Sequence, residues 1–219
     1  MYIAAGEILE ASKLALVQAR RWAHTANWPN SRKSAMFCSE LCDALDPMIR
    51  RSLPDDKATT SCRRISIDHE GKGVAGEWLL DGVWTTDHEM GSTCIPIRIE
   101  CALECESSTS QTEFFKDFAK VLAVQAPVRL FYAGLNQATP SKAEEYISRR
   151  TKQVTELLAK GSQSGVEGEW YLAFWPSPLK KENESLWSKL DRGLYSHLDQ
   201  VSLFRFSRGE FAAVKEEEE

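Results

Sequence analysis

The sequence predicts an α/β fold, a central mixed β-sheet flanked by helices. Three observations carry that expectation. Segments with helical apolar stripes alternate with strand-like segments along the chain. Ile95 to Glu106 alternates apolar and polar residues, with Ile95, Ile97, Ile99, Cys101, Leu103 and Cys105 on one face and Arg98, Glu100, Ala102, Glu104 and Glu106 on the other. That period of two marks a strand with one buried face. Val128 to Ala133 is a short, mostly apolar run, as suits a strand near the sheet centre.

The elements follow in order. Glu7 to about Asn27 reads as a helix whose stripe is Ile8, Leu14, Ala15, Val17 and Trp22. Trp28-Pro29 breaks it. A second helix runs from about Lys33 to Met48 or slightly beyond, with Met36, Phe37, Leu41, Ala44 and Leu45 inward, and Pro47 near its end can kink it. Ser52 to Lys57 is a loop. Arg63 to His69, Ala75 to Trp84 and Ile95 to Glu106 are strands joined by the turn-rich segments Gly71–Gly73 and Asp87–Gly91, which predicts an antiparallel meander.

Ser110 to about Val124 is a helix with Phe114, Phe115, Phe118, Val121 and Leu122 on one face and Glu113, Lys116, Asp117 and Lys120 on the other. After the Val128–Ala133 strand, Ser141 and Glu144 form a capping-box signature that opens a helix to about Lys160. Gly161–Gly165 is a loop, Glu169–Trp175 a strand, Asn183 to about Leu198 a helix and Val201–Phe206 a last strand. A length of 219 residues suits a single domain over 1–219. Its α-β-β-β-α-β core spans about 35–135, an α/β extension about 140–214, and an acidic tail 215–219.

Composition narrows the function classes. A net charge of −5 argues against a surface that is basic throughout, though a local basic patch is enough for an enzyme of nucleic acids. No apolar run is long enough for a transmembrane helix, and the N-terminus lacks the pattern of a signal peptide, so a cytoplasmic location and no membrane partner are expected. The six cysteines read as reduced and mostly buried.

The chemical signal is acidic. Glu104 and Glu106 share a strand face, roughly 6–7 Å apart. Asp81 ends the apolar run Trp78-Leu79-Leu80 on the preceding strand. Acids converging from neighbouring strands suit Mg²⁺ or Mn²⁺, hard cations that take oxygen ligands and can activate water against a phosphodiester. The bland alternatives are an Asp81 paired with Arg64 or Arg98 or capping the turn at Gly82, and a Glu face that is simply solvated.

Glu77-Trp-Leu-Leu-Asp81 on the second strand and Glu104-Cys-Glu106 on the third, within an α-β-β-β-α-β order, resemble the PD-(D/E)XK nuclease superfamily, the restriction-endonuclease-like fold. The resemblance covers roughly residues 35–135. It implies metal-dependent phosphodiester hydrolysis, with Asp81 and Glu104 as metal ligands. Glu106 stands where the family has lysine, so it becomes a third ligand or a poor base. Lys116 or Lys120 on the next helix then supplies the missing charge, and Glu40 matches an accessory acid.

Arg149, Arg150 and Lys152 are candidate nucleic-acid contacts, with a solvated helical face as the alternative. Two other functions remain open: a catalytically inactive nuclease-like binding or regulatory module, and an unrelated α/β interaction protein. The sequence does not indicate an oligomeric state.

Overall fold

A computed structural model describes residues 3–26, 28–53, 59–63, 65–67, 73–75, 79–161, 168–178, 186–191, 193 and 196–215. The helices are α1 (Ala5–Ala26), α2 (Asn30–Arg51), α3 (Gln111–Ala123), α4 (Pro140–Gly161) and α5 (Leu186–Asp191). The strands are β1 (Thr59–Arg63), β2 (Ile65–Ile67), β3 (Gly73–Ala75), β4 (Gly82–Met90), β5 (Thr93–Glu106), β6 (Val128–Leu135), β7 (Glu169–Pro176), β8 (Ser202–Ser207) and β9 (Glu210–Ala213). A 3₁₀ turn covers Ser196–Leu198.

The main sheet has the order β1-β4-β5-β6-β7-β8-β9, and β2 pairs with β3 in a separate hairpin. β4 runs antiparallel to both of its neighbours, β1 and β5; β5, β6 and β7 run parallel; β8 is antiparallel to β7 and β9 antiparallel to β8. This is the mixed sheet flanked by helices that the sequence predicts.

Both faces of the sheet centre are covered, because a parallel connection leaves a helix on one face or the other. On one face, Phe37 of α2 stacks on Trp175 at 4.1 Å, and Ser12 of α1 shares a 2.7 Å hydrogen bond with Tyr132. On the other, Phe114 and Phe118 of α3 meet Phe131 edge-on at 5.1 and 5.4 Å. Every residue of β6 is buried.

Several boundaries differ from the sequence reading. The first predicted strand divides into β1 and β2. The second divides into β3 and β4, and the region from Asp87 to Met90, expected as a turn, is strand. The chain reverses at Gly91-Ser92, where Gly91 has φ 65°, a conformation glycine adopts without steric cost. Arg64, Trp78 and most of the predicted loops at 52–57, 71–73 and 161–165 lie outside the described residues.

In α1 the buried stripe is Ile8, Ala11, Ser12, Ala15 and Ala19, while Leu14 and Val17 are exposed. Small residues line the stripe where α1 packs closely against α2. Pro47 lies inside α2 on its solvent side, where carbonyls left unbonded by the missing N–H reach water, and the helix continues to Arg51. α4 opens one residue early, on Pro140, and its cap is Thr139, which accepts from Lys142 N at 3.3 Å. Within the last predicted helix, α5 and the 3₁₀ turn are described, and residues 183–185, 192, 194 and 195 lie outside the described residues. Past β8 the chain adds β9 through a tight turn with positive φ at Arg208 and Gly209, the backbone twist a two-residue hairpin needs.

β5 departs most from expectation. Its N-terminal half is exposed on both faces, with Ile97 at 64 % and Ile95 at 40 %. β1 begins opposite Thr86 and β6 begins opposite Cys101, so among the described residues the β4–β5 hairpin beyond them has no neighbouring strand in the main sheet. Two register shifts in the β4–β5 pairing skip Ile97 and Glu100. In the C-terminal half both faces are buried: Cys101 and Leu103 beneath α2, and Ala102 and Glu104 beneath α3.

Candidate active site

Asp81 precedes β4, and the register Gly82↔Leu103 sets it beside Glu104 on β5. The Asp81 N–H donates to Glu104 Oε2 at 3.1 Å, and the Cys105 N–H donates to Asp81 Oδ2 at 3.0 Å. Two acids twenty-three residues apart are thus locked together through main-chain donors. The solvated-face alternative for Glu104 does not hold, since the residue is 1 % exposed.

α3 closes the site from above. Its N-terminus is fixed by Ser110, whose side chain accepts from Glu113 N. Phe114, Phe118 and Val121 then bury against the sheet, which brings Asp117 and Lys120 over the β5 acids. Lys120 Nζ donates to Glu104 Oε1 at 2.5 Å and pairs with Asp117 Oδ1 at 2.5 Å. Asp117 also hydrogen-bonds to the carboxyl of Glu106, which accepts from Ser108 N at 2.5 Å. The result is a chain of polar contacts from Asp81 through Glu104, Lys120 and Asp117 to Glu106.

The electrostatics follow from the burial. Glu104 is pushed up to about 8, because burial and the neighbouring Asp81 charge outweigh Lys120. Glu106 is pushed up to about 7 by burial and by its hydrogen bond with Asp117. Burial acts upward on Asp117 too, but hydrogen bonds from Glu106 and Lys120 outweigh it and hold this carboxyl low. Of the two, Glu106 therefore holds its proton to higher pH than Asp117 does.

Lys116 does not join the cluster. It is exposed and pairs with Glu113 at 2.9 Å along the helix surface. Glu40 does not share the helix face of Cys38 and Cys42, which lie two residues to either side of it, about 200° around α2. Those two cysteines pack on the opposite face of the sheet from Glu104: Cys38 hydrogen-bonds to Cys105, and the Cys42 Sγ lies 3.0 Å from where a Cβ on Gly82 would stand.

Of the three basic candidates on α4, Arg149 and Lys152 are exposed. Arg150 is 1 % exposed, so it is no phosphate contact. Its guanidinium lies 4.8 Å over Phe114 and 5.2 Å over Tyr146, and donates to Gln153 Oε1 at 3.0 Å and Thr109 O at 3.4 Å. It ties α4 to the segment that leaves β5. The sequence reading missed this role, and it missed Asp117, which hydropathy assigns to the outer face of α3. The signal for Asp117 was its spacing of three from Lys120, which puts the two on one helical side.

Four cysteines, Cys38, Cys42, Cys101 and Cys105, are free thiols, the first three buried and Cys105 half-buried. The Cys38 thiol hydrogen-bonds to those of Cys105 and Cys42, and the Cys105 bond together with burial pushes it well above the ordinary thiol range. Among the described residues, no group of three or more His, Cys, Asp or Glu side chains is gathered so that it could hold a metal ion, and no helix is long and apolar enough to cross a membrane.

Fold and site together define an α/β protein with a buried acid–lysine cluster where the antiparallel and parallel halves of its sheet meet. Comparison with protein-family models, with curated proteins and with solved structures finds no match.

Proposed function

We propose that the chain is a metal-dependent nuclease of the restriction-endonuclease-like kind. One observation carries the reading: Lys120 reaches Glu104 Oε1 from the following helix, while the main-chain N–H of Asp81, just before β4, donates to Glu104 Oε2 and the Asp81 carboxylate accepts from Cys105 N. An Asp, a Glu and a lysine then occupy one spot although Glu106 stands in the lysine position of the strand motif. The strand order supports it as well. β1, β4 and β5 form an antiparallel meander and β6 runs parallel to β5, with α2 before and α3 between.

The donor set consists of hard oxygens, which fit Mg²⁺ or Mn²⁺ rather than a thiophilic metal. Asp81 and Glu104 would hold the cation, two carboxylates being a usual complement for Mg²⁺ with water filling the rest. The metal would activate water and offset charge on the phosphate. Glu104 must give up Lys120 at Oε1 to serve as a ligand. Lys120 would then remain as the cation that steadies developing charge, and Glu106, hydrogen-bonded to Asp117 rather than gathered with Asp81 and Glu104, would lie at the edge as a weak base. Arg149 and Lys152 are exposed on α4 and would meet the nucleic-acid backbone.

Calorimetric titration with Mn²⁺ of the wild type, Asp81→Asn and Glu104→Gln tests the site. Binding by the wild type alone, with metal-dependent cleavage of DNA or RNA lost in both variants, is the expected result. A wild type that does not bind Mn²⁺ would sink the reading.

A second reading is an inactive module of the same fold. It is favoured by Glu106 in the lysine position and by the contacts that close the cluster on itself. Intact cluster geometry without cleavage, together with nucleic-acid binding that Arg149→Ala and Lys152→Ala weaken, is the outcome that selects it.

A further inference from the structure

The nuclease reading sets a requirement on Lys120 that Glu104 cannot meet. Lys120 and a bound cation both draw on the same carboxylate. Once Glu104 turns to a divalent cation, the ammonium loses its 2.5 Å partner and is repelled by the like charge. A lysine on a flexible four-carbon stem then swings toward water, since holding it in place costs rotamer entropy. Its charge would leave the site at the moment it is needed.

Asp117 meets that requirement. It lies one turn before Lys120 on the same helix, so their relation does not depend on the strands. Its Oδ1 is 2.5 Å from the ammonium, and the side chains of Asp117 and Lys120 are 18 % and 21 % exposed, partly shielded from water. Asp117 also hydrogen-bonds to the side chain of Glu106 on β5.

We propose that Asp117 is a positioning residue for Lys120, the second anchor that keeps the ammonium at the acid cluster when Glu104 serves as a ligand. This rests on the nuclease reading. It also gives Glu106 a purpose: its carboxyl restrains Asp117, so the strand position that lacks lysine helps to place a lysine supplied by the helix.

The test pairs kinetics with a direct view of the ammonium. Wild type, Asp117→Asn and Asp117→Glu are compared in Mg²⁺-dependent cleavage of a single-stranded and a duplex oligonucleotide. The ¹⁵Nζ resonance of Lys120 is followed by NMR with and without Mg²⁺. Expected for Asp117→Asn are a loss of kcat on the order of 10²-fold, KM changed less than about twofold, and a Lys120 ammonium whose protons exchange too fast to observe once Mg²⁺ is added. Asp117→Glu restores most of both. Cleavage by the wild type with an Asp117→Asn variant equal to it in kcat, or with the Lys120 resonance unchanged, overturns this inference alone. No cleavage by the wild type overturns the nuclease reading and the inference with it.

Discussion

Lys120 Nζ stands 2.5 Å from Glu104 Oε1, an ion pair between the last turn of α3 and the buried half of β5. The Glu104 side chain is 2 % exposed and the Lys120 side chain 21 %, so the lysine is the route by which this acid meets solvent. Removing one partner of such a pair leaves the other without compensation in a poor solvent for charge. Lys120→Met should destabilise the protein by roughly 1–3 kcal/mol, the lower part of the range because Glu104 can take up a proton. Urea unfolding at neutral pH measures it, and the double variant Lys120→Met, Glu104→Gln should recover part of the loss.

The pH dependence follows from the same acids. Glu104 and Glu106 rise from an ordinary 4.5 to about 8 and about 7 in the folded chain. Between the unfolded and folded values the native state binds more protons than the unfolded state. Stability from these two groups is therefore present below pH 4.5 and lost as pH rises through about 7 to 8. Asp117, held low, works in the opposite sense, and its contribution fades as pH falls. Melting temperatures from pH 5 to 8 should fall more steeply in the wild type than in Glu104→Gln or Glu106→Gln. Equal slopes in all three would contradict the assignment.

Gly134 sits in β6 where the segment leaving β5 crosses it. A Cβ there would lie 2.3 Å from Ser107 O and 2.6 Å from Ser177 Oγ. Backbone cannot yield as a side-chain tip can, so Gly134→Ala should cost about 1–3 kcal/mol and move the Ser107–Ser108 segment that holds Glu106. Thermal unfolding reads the first effect. A wild-type melting temperature for Gly134→Ala would show that the crossing is looser than it stands here.

The two neighbouring arginines of α4 should behave differently. Arg150 is sealed among Phe114, Phe115 and Tyr146, and Arg150→Ala removes its stacking and two hydrogen bonds from the core. A loss of about 2–4 kcal/mol is expected. Arg149→Ala combined with Lys152→Ala should alter stability by less than about 0.5 kcal/mol yet weaken nucleic-acid binding and reduce its salt dependence. Denaturation and a salt titration of binding separate the two.

Much of the fold was legible locally. The stripe Phe114, Phe118, Val121 marks α3 within one residue of its start, and the period of two marks β5 to its last residue, because helix and strand periodicities are properties of short segments. The break at Asp87 to Met90 was misread for the same reason: polar residues look like a turn unless the partner strand is known, and here Thr93 to Pro96 pairs with them. Ile95 and Ile97 lie on the part of β5 that precedes its pairing with β6, which starts at Cys101, and no window within β5 contains that start.

The sequence by itself determined the class of fold and most of its helices and strands, and it singled out the three acids Asp81, Glu104 and Glu106. The tertiary structure alone decided which of those acids are buried, that Lys120 rather than Lys116 reaches them, and that Asp117 belongs with them while Arg150 serves the core. The physical reason is range. Periodicity and propensity act over a few residues, whereas burial, register and charge pairing arise when α3 lies down on β5. Only that contact turns a polar helix edge into the wall of a site.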